Sequence, residues 1–76
     1  MGPRVYQYRS SIGVFELIES VNSCELRLGG EVLGIYSSTT AALSNVDTVI
    51  AGRYESDLIE SLRIPSTLKG WDKTAG

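Results

Sequence analysis

The chain contains no histidine among its 76 residues. Imidazole is the usual general base near neutral pH and a leading metal ligand, so this absence points away from acid–base catalysis and from transition-metal sites. There is one cysteine, Cys24. It cannot close an intramolecular disulfide, which argues against a stapled secreted scaffold, and it has no histidine to activate it as a nucleophile. No apolar run approaches the ~20 residues of a membrane span. The N-terminus lacks the apolar segment of a signal peptide. Met1-Gly2-Pro3-Arg4 starts like a myristoylation site, but Pro3 and Tyr6 do not fit one. The expectation is therefore a cytoplasmic protein with no membrane association.

The charge fraction is ordinary, and neither sign dominates. Seven Lys and Arg stand against nine Asp and Glu, for a net charge of −2. The cations are scattered, without the basic stripe that binds nucleic-acid phosphates, so no direct nucleic-acid contact is expected. The acidity is too dilute for a DNA mimic. Gly29-Gly30 is followed by no Lys-Ser/Thr and lies between two strand patterns, which makes it a turn and excludes a phosphate loop. Neither a metal nor a cofactor is expected.

What remains is a globular composition, 42% hydrophobic, with a size that makes one domain spanning 1–76. A core this small seldom contributes more than about 3–5 kcal/mol of net stability, so a monomer or a weak homodimer is expected. Residues 5–9 and 14–19 alternate as strands, separated by a turn at Ser10 to Gly13. Asn22 and Ser23 mark a second turn. Cys24 to Tyr36 then reads as a hairpin around Gly29-Gly30, whose two positive φ angles suit a type I′ turn. Pairing Leu28 with Glu31 sets Leu26 against Leu33 and Cys24 against Ile35 on an apolar face. Glu25, Arg27, Val32 and Tyr36 fall on the mixed face. On this register Cys24 is a buried, unreactive thiol.

The period then changes. Ser37 to Thr40 offers N-caps for a helix over 41–51, with Ala42, Leu43, Val46, Val49 and Ile50 on one face and Gly52 ending it. A short second helix over 56–62 would turn Leu58, Ile59 and Leu62 inward before Pro65 stops it. One more helical turn follows, where Leu68 and Trp71 close an end of the core. Residues 72–76 read as a frayed tail. The expected fold is α+β: a four-stranded antiparallel β-meander with one main α-helix packed on one face and a short helical C-terminal segment.

The candidate partner-binding residues are Glu55, Asp57 and Glu60, clustered around the second helix, with Tyr54 and Tyr36 as half-exposed aromatic anchors. The carboxylates have no loop that would gather oxygens around a divalent cation. They read as a solvated helix face or as a surface that meets a basic partner. Tyrosines are enriched at protein interfaces because they are rigid and amphipathic. Helices covering only one face of the sheet would leave Val14, Ile18, Val32 and Tyr36 as a semi-apolar patch on the other.

The run Tyr6-x-Tyr8-Arg9, Gly13-x-Phe15, Glu25-Leu26-x-Leu28, Leu33-Gly34-x-Tyr36-x-Ser38, Ala41 and Pro65-x-x-Leu68-x-x-Trp71 resembles a pattern in short bacterial and phage open reading frames of unassigned function. The resemblance covers most of the chain and implies a sheet meander with helical packing, without an activity. In size, charge and missing chemistry the chain also resembles phage-encoded anti-CRISPR inhibitors. The leading expectation is a non-enzymatic protein-binding module. It would be an inhibitor of a host defence complex of the CRISPR-Cas type, docking on or occluding a basic surface that binds nucleic acid. The alternative is a structural or accessory protein that self-associates through the open sheet face or an edge strand. A small-molecule binding domain is the weakest of the three, because one sheet and one helical layer leave little room for a pocket.

Overall fold

A computed structural model describes residues 2–75, with the side chain of Ala75 outside the description. The meander forms as the alternation dictates, with β1 Arg4–Ser10, β2 Gly13–Glu19, β3 Cys24–Leu28 and β4 Glu31–Tyr36 each antiparallel to the next. Gly29 and Gly30 carry φ of 59° and 88°, the left-handed pair that the tight β3–β4 turn requires. Helix α1 spans Thr39–Ala51, and the Ser38 hydroxyl caps it by accepting from the Ala41 N–H at 3.1 Å. Helix α2 spans Ser56–Leu62, and a 3₁₀ turn follows at Leu68–Gly70.

Among the described residues the sheet has five strands rather than four, in the order β4-β3-β2-β1-β5. Asp72–Ala75, expected as part of a frayed tail, is β5 and pairs antiparallel with β1; Gly76 lies outside the described residues. Asp-Lys-Thr-Ala has little intrinsic strand preference, so the cause is tertiary. Trp71 is buried against Tyr8 and Phe15, with ring centroids 5.8 and 6.5 Å away, and its indole N–H donates to the Pro65 carbonyl at 3.1 Å. That anchor delivers the next residues to the open edge of β1.

The core is one layer thick. Phe15, Leu17, Cys24, Leu26 and Leu28 from one sheet face meet Ala42, Val46 and Ile50 of α1, with Leu62 and Trp71 closing the ends. The α1 residues recur every fourth position, as one helical stripe requires. Leu43, Leu58 and Ile59, expected to face inward, are half-buried against the core. Gly52 follows α1 with φ −76°, so the helix stops without a left-handed residue. The left-handed stop belongs to α2, where Arg63 takes φ 50° and ψ 45°.

The hairpin register departs from the expected one halfway along. Leu28 pairs with Glu31 and Arg27 with Val32, but Leu26 then pairs with Gly34, Glu25 with Ile35 and Cys24 with Tyr36. Leu33 is the extra residue of a β-bulge, which shifts the alternation by one. Ile35 is thereby turned to the outer face, where it is 66% exposed, and Tyr36 is turned to the core face. The small size of Gly34 makes room for this: a Cβ there would lie 2.7 Å from the Tyr36 hydroxyl oxygen.

Candidate functional site

Both helices pack on the face of the sheet that carries Phe15, Leu17 and Leu26, and the opposite face has no second layer among the described residues. Register places its side chains. Val32, Arg27, Glu16, Gln7 and Asp72 form one row from β4 to β5. Ile35, Glu25, Ile18 and Val5 form the next row, from β4 to β1. Val14 and Arg9 pair beyond the first row. Val32 is 46% exposed, and Val5, Val14 and Ile18 are half-buried. Four polar members of this face pair with one another. Gln7 Nε2 donates to Glu16 Oε2 at 3.1 Å, and Arg27 Nε donates to Glu25 within an ion pair. The surface is therefore semi-apolar and close to neutral.

The five residues chosen from sequence do not form one site. Glu55, Asp57 and Glu60 lie on the helical side of the molecule, all exposed, and none forms an ion pair among the described residues. Asp57 and Glu60 are three apart on α2 and so share its surface. Glu55 is the residue that precedes α2, and its side chain makes no capping bond. Tyr54 is half-buried beside them, packed against the core. Tyr36 stands at the other end of α1, a 13-residue helix about 20 Å long. The semi-apolar patch does carry Val32, exposed, with Val14 and Ile18 half-buried, but Ile35 occupies the place expected for Tyr36. The signal was present in the chain: a glycine inside a strand pattern often marks a bulge, and Gly34 sits beside the extra residue.

Cys24 is fully buried at the start of β3. Burial pushes its thiol up to about 11, and the nearby Glu19 carboxylate adds to the effect. A thiol held protonated is a poor nucleophile and a poor metal ligand. Among the described residues no three His, Cys, Asp or Glu side chains gather where they would hold a metal ion. Shallow clefts mark the surface of the described residues. One of about 480 Å³ lies beside Arg4, Glu19 and Val21, and one of about 270 Å³ lies between Thr40 and Ser44 of α1 and Thr67. Among the described residues no side-chain N or O atom is buried without a partner.

No protein-family model matches this chain, and no curated protein or solved structure matches it either. Among the described residues no helix is long and apolar enough to cross a membrane.

Proposed function

We propose that this chain is a non-enzymatic protein-binding module that works by docking. The one-sided cover of its sheet is the main support. Val32 and Ile35 stand exposed, with Val14, Ile18 and Val5 half-exposed beside them, on a face that a folded domain has every energetic reason to bury. A surface of this composition suits protein contact better than a small ligand, which needs concavity.

In its more specific form the module is a phage-encoded inhibitor that occludes a basic, nucleic-acid-binding surface of a host defence complex. Three exposed carboxylates on the helical side, Glu55, Asp57 and Glu60, free of ion pairs among the described residues, support that reading. Tyr54 lies next to them as an anchor. Their field would speed encounter with an Arg/Lys surface and make binding salt-sensitive.

Affinity capture of the tagged chain from bacterial lysate, with partners identified by mass spectrometry, tests both forms. The wild type is compared with Ile35→Asp and with the triple variant Glu55→Lys, Asp57→Lys, Glu60→Lys. A nucleic-acid-binding partner that is released by salt and lost in the triple variant is the result expected of the inhibitor. A partner that the triple variant retains unchanged removes the electrostatic part. Self-association through the open face is the second reading, favoured by the face's near-neutral charge and its Arg27–Glu25 ion pair.

A further inference from the structure

We infer that the bare face of the sheet binds a second copy of this chain, the two sheets packing face to face as a sandwich. The inference rests on reading that face as a docking surface. Consider a two-fold axis lying between two such sheets, running across the strands midway between the two rows of side chains. It lays each row over the other row of the second copy. Val32 then meets Ile35 of the second copy, Glu16 meets Ile18 of the second copy, and Arg27 meets Glu25 of the second copy. Sheets packed this way stay within about 30° of aligned, so the pairs nearest the pivot keep this register best.

The charge match arises twice, because a two-fold contact presents the same patch from both sides. Arg27 and Glu25 of one chain, with their counterparts, make four charges that alternate in sign around the axis. Arg27 Nε is already held by Glu25 of its own chain. Its other guanidinium N–H groups remain for Glu25 of the second copy. Glu16 enters the contact with its Gln7 hydrogen bond in place. Polar groups buried with partners cost less to desolvate than bare ones.

Area and topology point to the same occupant. Five strands about 4.8 Å apart and up to seven residues long offer roughly 500 Å² per chain, or ~1,000 Å² for the pair. That stands at the ~1,000 Å² a specific contact needs, which is right for a weak dimer. The sheet edges are poorer docking sites. β4 carries the bulge at Leu33, and β5 has four residues that include Asp72 and Lys73, both of which discourage strand addition. The two-fold arrangement leaves α2 of each chain on the outside, so Glu55, Asp57 and Glu60 stay free.

Sedimentation equilibrium on the full chain from about 10 μM to 1 mM tests this, with circular dichroism melts on every variant. The expected result is a mass that rises with concentration towards twice that of the monomer, with Kd of order 10–100 μM. Ile35→Asp changes a side chain already exposed, so it should fold, and it should raise Kd about tenfold or more. Arg27→Glu alone should do the same, while the swap Arg27→Glu with Glu25→Arg should return Kd to within about threefold of wild type. A wild type that stays monomeric at 1 mM overturns the inference, as does a dimer that Ile35→Asp and Arg27→Glu both leave intact. If the wild type is monomeric yet Ile35→Asp abolishes capture of a different protein, docking through this face stands and the second copy is excluded. If Ile35→Asp changes neither dimer nor capture, the docking reading falls as well.

Discussion

Cys24 shows what one side chain contributes and what it forgoes. Its thiol sits under Tyr36 and α1 with no exposure, and the same burial that packs it keeps it protonated up to about pH 11. The unfolded thiol ionises near 9.0. A folded pKa raised above the unfolded one contributes stability that is complete below pH 9 and is lost as pH rises from 9 towards 11. Urea midpoints measured across that window should fall more steeply for wild type than for Cys24→Ala, by up to one proton's worth of slope. The folded chain should also resist a thiol reagent at pH 8 and react only after unfolding. A folded chain that reacts at the rate of a free thiol would show that Cys24 is accessible. Gly34 carries the opposite lesson: by having no side chain it admits the Tyr36 ring, and so decides which way Ile35 points.

At the scale of elements, the two helices are held by different means. α1 has a capping hydroxyl at Ser38 and a buried stripe of three residues. α2 is seven residues long, too short to persist alone, and it ends at Arg63 in a left-handed conformation that costs a non-glycine residue about 1–2 kcal/mol. The Tyr8 hydroxyl compensates by donating its one proton to the Leu62 carbonyl, with the Arg63 carbonyl a second, more distant acceptor at 3.2 Å, tying the last turn of α2 to β1 across more than fifty residues of sequence. Tyr8→Phe should therefore destabilise the fold by about 1–2 kcal/mol, seen as a lower urea midpoint at unchanged slope. No loss would mean that water replaces the bond. β1, β2, β3 and α1 were legible in the chain because each carries its own periodicity and turn residues; α2 is too short for its periodicity to decide between helix and loop. β5 was not, because its strand geometry comes from pairing with β1 after Trp71 has been buried.

For the whole molecule, the division into a covered and an uncovered sheet face separates two jobs. Stability resides between the sheet and the helices, while the proposed contacts lie on the bare face and on the outside of α2. Reversing Glu55, Asp57 and Glu60 to Lys turns the net charge of −2 positive, yet these exposed positions hold nothing in place. The triple variant should fold with a loss of about 1 kcal/mol, mainly from cations placed near the start of a helix. A melt showing several kcal/mol lost would mean that α2 needs those carboxylates, and capture experiments with that variant would then report unfolding.

Sequence alone determined the class of this protein. Alternation and the Gly-Gly turn specify a meander, and the change to a helical period specifies α1. Of the candidate site, the chain revealed the acidic stretch at 55–60 and most of the outer apolar patch. Only tertiary structure decided the rest: the fifth strand and the residue at the edge of the bare face. Each depends on contacts between residues far apart in the chain. One inserted residue in a β-ladder turns every later side chain to the other face, and local propensity does not register that shift.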